Sequence, residues 1–326
     1  MRNTHYMHAQ HHTTVESSEP LISFVVPCYN LPSEWICACI DSILALPLKK
    51  EEREVLVIDD GSEVPVSESL SDYGDEVQCV RQSNGGLSAA RNVGMNCATG
   101  TYIQFVDGDD ELLPSAYAQC IRMLKSDAPD MLLFRFQGQT ASPLSVMSGT
   151  AYMLQYNLRA SACAYLFRRS LLGNLRFIQG ILHEDEAFTP QLLLRADRVL
   201  DSGCAAYAYH RRSGSITTQT SSSHVHRRLA DKEAVVMMLD KLTQHLPSQQ
   251  SQALRRRVSQ LTMDLMLDTI RLTSGSHPLY QLVQRLRENG LYPLPSYHYT
   301  PAYFLFSQLS SSRIGLFFLR CLFTLL

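Results

Sequence analysis

From residue 21 onward, short apolar runs alternate with longer amphipathic segments, and three of the runs end abruptly in polar clusters. "LISFVVP" closes in Cys28-Tyr29-Asn30, "EVLVI" in Asp59-Asp60-Gly61-Ser62, and "YIQFV" in Asp107-Gly108-Asp109-Asp110. Runs of this length bounded by turn residues read as buried strands, whereas "PSEWICACIDSILAL", "GGLSAARNVGMNCA" and "SAYAQCIRMLKSD" carry helical spacing. With "VQCVRQ" and "DMLLFRF" as further strands, the order is β-α-β-α. This alternation predicts an α/β fold with a doubly wound, mainly parallel sheet and right-handed crossovers. Ligands of such sheets bind beyond the carboxyl ends of the strands. Three polar clusters at three neighbouring strand ends therefore predict one site.

The second half is less regular. Residues 136–150 read as a loop or weak strands, 162–168 as a strand, "HEDEAFTPQLLLRA" as a helix despite Pro190, and "AAYAYHRR" as a strand. The Ser/Thr-rich "TTQTSSSH" (217–224) reads as a linker, and 225–272 and 278–289 as helices with Arg-rich faces. The division expected is a tail over 1–19, a catalytic domain over 20–220, and a basic helical region over 221–326. Residues 1–220 carry 17 Lys and Arg against 25 Asp and Glu, a balance of −8, whereas 221–326 carry 12 against 6, a balance of +6. The two parts face different partners, or each other. No recognised nucleic-acid-binding module accompanies the arginines, and Arg255 to Arg257 read as a solvated or headgroup-facing surface.

The nine cysteines include no CxxC pair and no framework spacing, which points to buried free thiols in a reducing compartment. The first twenty residues are polar, with His5, His8, His11 and His12, and lack the apolar core of a secretory signal. A solvated tail and a cytoplasmic location are the expectations. No apolar stretch reaches bilayer-spanning length. Ile314 to Leu326 comes closest, broken by Arg320, which shares a helix side with Arg313. It reads either as a helix docked on the core or as an interfacial helix at the inner face of the cytoplasmic membrane.

The carboxylates of Asp107, Asp109, Asp110 and Glu111 repel one another unless a cation stands among them. An Asp-x-Asp pair at a strand end suits a hard divalent ion, Mn²⁺ or Mg²⁺, which takes one or two carboxylates plus the phosphates of a substrate. On its own such a pair also occurs in many surface turns. "VIDDGS" alone is a turn, and "NGGLSAARNVG" alone is a glycine entry into a helix. The latter lacks the G-x-G-x-x-G order, and there is no P-loop.

Taken together, "VVPCYN", "VIDDGS", "NGGLSAARNVG", "FVDGDD", "HEDEAF" and "YHRRSGSIT" resemble, in order and rough spacing, the inverting family 2 glycosyltransferases of GT-A fold. The resemblance covers about residues 20–217. It implies that Pro27, Tyr29 and Asn30 lie against the base and ribose of a nucleotide. Asp59 would take a uracil N–H and Asp60 support the turn, with the exchange of these roles left open. Arg91 would lie near the nucleotide, or else form a structural ion pair. Asp107 would touch the ribose and share the metal with Asp109, while Asp110 orients the loop.

The resemblance also implies a general base from the acidic pair, Asp185 first and Glu184 second, to remove the proton of the attacking acceptor hydroxyl. Read without it, Asp185 is an acid stabilised by a helix N-terminus. His210 would add a metal or phosphate contact, with Arg211 or Arg212 nearby, on a loop able to close over the diphosphate. Two departures matter. Cys163-Ala164-Tyr165 stands where many relatives carry Trp-x-Lys, on the acceptor side. The Gln-x-x-Arg-Trp element of processive synthases is missing, Trp35 being the only tryptophan. The expectation is thus metal-dependent transfer of a single sugar from a nucleotide-sugar donor, UDP-linked first, to a glycan or lipid-linked glycan hydroxyl, without nucleic acid as a partner. The alternative is a catalytically silent GT-A module serving as a scaffold.

Overall fold

Seven consecutive buried residues, Ile22–Cys28, form β1, and a strand with no polar face belongs in the middle of a covered sheet. In the computed structural model, which describes residues 19–139, 141–211 and 221–324, β1 runs parallel to β2 (Arg53–Asp59) on one side and β4 (Tyr102–Phe105) on the other. β3 (Gln78–Arg81) continues the parallel set beyond β2. Helices α1 (Ser33–Leu44) and α2 (Leu87–Cys97) supply the crossovers that parallel neighbours require.

Beyond β4 the sheet becomes mixed. β5 (Glu111–Leu112) and α3 (Pro114–Asp127) lead to β6 (Met131–Phe136), and β7 (Tyr165–Arg168) lies antiparallel between β4 and β6. β8 (Val199–Ala208) runs parallel to β6 and antiparallel to β5. The strand order is β3-β2-β1-β4-β7-β6-β8-β5. The expected α/β class and mainly parallel sheet are found, with the antiparallel pairings confined to the half whose periodicity was weakest in the sequence.

Gly94 decides how close α2 lies to the sheet. A Cβ there would stand 2.1 Å from Cγ1 of Val25 on β1, so only glycine permits this approach. Arg91, three residues earlier on the same helix face, is thereby drawn down to the sheet.

Helices α4 (Gly149–Gln155) and α5 (Glu184–Leu193) precede the C-terminal helices α6 (Ser222–Thr243), α7 (Ser248–Leu272), α8 (His277–Glu288), α9 (Pro301–Ser310) and α10 (Arg313–Thr324). The linker expected over 217–224 gives way to helix from Ser222, because the Ser221 hydroxyl caps the His224 N–H; residues 217–220 lie outside the described residues. Val235, Leu239, Leu254 and Leu261 of α6 and α7 share one continuous core with the sheet. Leu265, Leu286, Phe306, Leu316 and Leu319 build a second, smaller core with α8 to α10.

The solvated surface expected of Arg255 to Arg257 is corrected. Successive helix residues point about 100° apart, so only Arg255 faces solvent. Arg256 donates to the Met153 carbonyl within α4 and the Tyr156 carbonyl just after it, and Arg257 pairs with Glu186 of α5. Part of the positive charge of the C-terminal region is therefore spent on the acidic first part of the chain. Among the described residues no helix is long and apolar enough to cross a membrane. On α10, Leu316 and Leu319 pack inward, while Ile314, Phe317 and Phe318 are 72%, 60% and 61% exposed. The helix is thus docked on the core by one face and leaves an apolar face uncovered. None of the nine cysteines forms a disulfide; four are buried and Cys321 is exposed.

Candidate active site

The loops after β1, β2 and β4 meet at one edge of the sheet. Gly108 sits so close to β1 that a Cβ would lie 2.7 Å from the Cys28 sulfur and 3.2 Å from the Pro27 carbonyl oxygen. The Asp-Gly-Asp-Asp loop is thus pressed against the loop that carries Tyr29. Asn30 adopts φ 47°, in the left-handed region where Asn is favoured. Its N–H donates to the Ser62 hydroxyl at 3.0 Å and its side-chain carbonyl accepts the Glu63 N–H at 2.8 Å. Asn30 therefore ties the first two loops together and leaves the Tyr29 ring half exposed above them. Pro27 is buried within β1.

The two aspartates of the second loop are fully engaged. Asp59 accepts from the Ser62 N–H at 2.9 Å, the Val66 N–H at 3.2 Å and Arg81 at 2.6 Å. Burial works to raise its pKa, but these donors outweigh it and hold the carboxyl below its ordinary value. Asp60 accepts from Gln82 at 2.6 Å and from the Gly85 and Gly86 N–H groups at 2.8 Å each, which shapes the glycine entry into α2. The first assignment of roles is corrected accordingly: Asp59 supports the turn, because Arg81 stands opposite it in the β2–β3 register. Asp60 is the aspartate on the side of the α2 entry.

Arg91 brings a positive charge to the loop after β4. Fully buried, it donates to Asp107 at 3.0 Å and to Glu184 at 2.8 Å, against the rings of Phe105 and Phe177. The structural ion pair is realised. Cys163, the departure from the Trp-x-Lys pattern, places its sulfur 4.0 Å from this guanidinium. Asp110 is buried and accepts the Tyr207 hydroxyl and the His210 N–H, each at 2.8 Å. The same hydroxyl accepts the Asp107 N–H at 3.1 Å, so Tyr207 locks the end of β8 to the loop after β4. Burial, then the Asp107 charge, raises Asp110 to about 7.

Asp185 stands in the first turn of α5 between Glu184 and Glu186, after His183 in the left-handed region at φ 64°. It accepts the Glu186 N–H at 2.8 Å. Burial and the two flanking carboxylates raise it to about 8, so they outweigh the helix terminus, whose field favours the ionised form. His183 is held neutral, lowered to about 4 by burial and by Lys232.

The proposed metal ligands are not gathered into a protein-only site. Asp107 is engaged by Arg91, and the His210 imidazole lies 3.0 Å from Glu111. Among the described residues no three His, Cys, Asp or Glu side chains converge. Asp109, part-buried on the same loop, fits a hard cation only if a substrate supplies the remaining oxygens. Arg211 is exposed, while Arg212 and the Ser-Gly-Ser-Ile-Thr loop lie outside the described residues.

A model described as "Glycosyl transferase family 2" matches residues 23–174. Those residues are a family 2 glycosyltransferase domain. The chain is 31% identical over 222 residues to the uncharacterized glycosyltransferase EpsJ of Bacillus subtilis (strain 168), covering 61% of this chain and 63% of that protein. It is 29% identical over 204 residues to the poly(ribitol-phosphate) beta-glucosyltransferase of Bacillus spizizenii, covering 58% of this chain and 32% of that protein. The chain thus spans less than two thirds of the length of these relatives. Its fold is that of S. aureus TarS residues 1–349, solved with UDP-GlcNAc, at a TM-score of 0.55 and 18% identity, covering 82% of this chain and 88% of that one. It is also that of the mannosyltransferase PcManGT from Pyrobaculum calidifontis, solved with GDP-Man and Mn²⁺, at 0.55 and 14%, covering 94% and 88%.

Arg81, Tyr207 and Arg257 were missed from the sequence. Arg81 lies in a recognised strand, but its partner follows only from register. Tyr207 is the inward residue of an alternating "AYAY", and Arg257 was hidden in a run of three arginines.

Proposed function

We propose that this glycosyltransferase transfers one sugar, with inversion and without processivity, from a nucleotide-sugar donor, UDP-linked first, to a hydroxyl of a glycan or lipid-linked glycan. One observation carries the reading: Arg91 bridges Asp107, at the end of β4, to Glu184, beside Asp185. The nucleotide side and the acid turn are thereby held across a single guanidinium. Tyr29 offers an exposed ring to the base, the loop of Asn30 and Ser62 shapes the nucleoside side, and Asp107 with Asp109 borders the diphosphate. Asp185 takes the proton of the acceptor hydroxyl as that oxygen attacks the anomeric carbon and the nucleoside diphosphate departs. Its raised pKa matches a base working near neutral pH. Asp109, and Asp107 once released from Arg91, would hold Mn²⁺ or Mg²⁺, which when bound neutralises charge on the departing diphosphate.

The acceptor reading leans on the poly(ribitol-phosphate) glucosyltransferase and on α10. Exposed Ile314, Phe317 and Phe318, with exposed Arg313 beside them, suit the surface of an anionic bilayer, and hence a cytoplasmic protein peripheral to the membrane.

Calorimetric titration with UDP, GDP and CDP, in Mn²⁺ and in EDTA, tests the donor site, with Asp109→Ala alongside. Metal-dependent UDP binding lost in the variant is the expected result. A folded protein that binds none of the three under either condition would be the silent scaffold instead. Flotation with phosphatidylglycerol vesicles tests the surface: binding is expected for the parent and lost in the Phe317→Ser/Phe318→Ser variant.

A further inference from the structure

Three consecutive carboxylates open α5, and the two outer ones each meet a buried guanidinium from a different part of the chain. Glu184 takes Arg91 of α2 at 2.8 Å, and Glu186 takes Arg257 of α7. Both arginine side chains are less than a tenth exposed. Asp185 lies between these two pairs.

We propose that Arg257 is a positioning residue for the transfer reaction: through Glu186 it orients the acid turn and balances its charge, making the C-terminal helices part of the catalytic apparatus. This rests on Asp185 acting as the base.

The geometry around α7 supports such a role. Arg256, the neighbour of Arg257, donates to the Met153 and Tyr156 carbonyls and to Asn157, which also accepts from Gln260 at 2.7 Å. α7 is therefore clamped to the segment after α4 at the level where Arg257 reaches α5. The pre-helix segment is fastened to α6 as well, through the Leu182 N–H on Asp231 at 2.9 Å and Arg227 on the Gly180 carbonyl at 2.9 Å. The acid turn is thus held from the C-terminal side by backbone and side-chain contacts alike. Arg257 Nε is buried without a hydrogen-bond partner, so the guanidinium is committed to Glu186 at the cost of one orphaned donor.

The charges around the turn allow a signed test. On α5 itself Glu184 and Glu186 flank Asp185; α2 contributes Arg91, and the loop after β4 contributes Asp107 on the far side of that arginine. From α7 come Arg257 and Asp264, the latter raised by burial and facing Arg257. Lys232 of α6 is spent on Asp268 at 2.6 Å, and His183 is neutral. Arg257 is therefore the counter-charge of Glu186. Without it, an unbalanced carboxylate next to Asp185 disfavours the ionised base.

The experiment is the pH dependence of kcat/KM for sugar transfer in the full chain, with the donor identified by the nucleotide titrations. Arg257→Gln should move the acid limb upward by about one pH unit, from Coulomb's law at an effective dielectric near 20, and lower activity at pH 7 about tenfold while the alkaline plateau is kept. Glu186→Gln should move the limb the other way. The double variant should bring it back near that of the parent, and Arg257→Lys should keep it in place. UDP affinity should be the same throughout. A loss of activity at all pH values, with an unmoved limb, overturns the proposal in favour of a merely structural pair. If Arg257→Gln does not fold, the Glu186→Gln and double-variant limbs decide the same point. An active Asp185→Asn would instead defeat the base assignment itself, which separates the two failures.

Discussion

Asp59 and Asp185 are both aspartates bordering the site, and their surroundings drive them in opposite directions. Asp59 is buried, yet two backbone N–H groups and Arg81 hold it ionised. Asp185 takes one N–H from its own turn, has carboxylates on either side, and is raised to about 8. Burial pushes both carboxyls upward, and the number of donors decides whether it prevails. A carboxylate saturated with fixed donors holds a loop in shape. One left with a proton affinity near neutral pH is available for chemistry.

The sharpest way to break this contrast is Asp185→Asn, which should cut sugar transfer by about 10²–10⁴-fold, the range of a lost general base, with UDP titration unchanged. Transfer within tenfold of the parent would return Asp185 to a structural role. Next comes Arg91→Met, which leaves Asp107 and Glu184 without their cation and should cost about 3–5 kcal/mol in urea unfolding, as breaking a buried pair does. A smaller effect is expected of Asp59→Asn, about 1–3 kcal/mol from donors left unsatisfied in the turn. Arg81→Ala should cost no more than about 1 kcal/mol, because that arginine is nearly half exposed.

The pH dependence of stability sharpens the same comparison by sign. The folded pKa of Asp59 lies below its unfolded value, so its contribution is present above that value and lost as pH falls through the folded pKa. Asp185 is raised, so the folded state holds its proton more tightly, and stability declines as pH climbs from about 4 toward about 8. Urea unfolding at pH 5 and pH 8.5 should show Asp185→Asn more favourable, relative to the parent, at the higher pH. Equal differences at both values would contradict the raised pKa.

Much of the fold was legible because its signals are local. Apolar runs such as "ISFVVPC" and "YIQF" are strands wherever they pack, and turn residues after them mark the strand ends. The antiparallel insertion of β7 between β4 and β6 was not legible, since no short-range pattern states which strand lies beside which. The candidate site divided in the same way. Asp107, Asp109, Asp110, Glu184 and Asp185 stand out as acidic clusters, but whether Asp59 or Asp60 supports the turn depended on Arg81 across the β2–β3 ladder. His210 was expected near the metal carboxylates, and its imidazole lies against Glu111.

By itself, the sequence determined the parallel core, the position of its polar strand ends, the amphipathic character of the last helix and the family resemblance. Each depends on residues within a few positions of one another, where backbone geometry and side-chain periodicity leave few alternatives. Only the tertiary structure decided which carboxylates are neutralised: Arg91 reaches Asp107 and Glu184, and Arg257 reaches Glu186, across long stretches of chain. Electrostatic partnership depends on distance in space and on burial, and neither is written in the local order of residues.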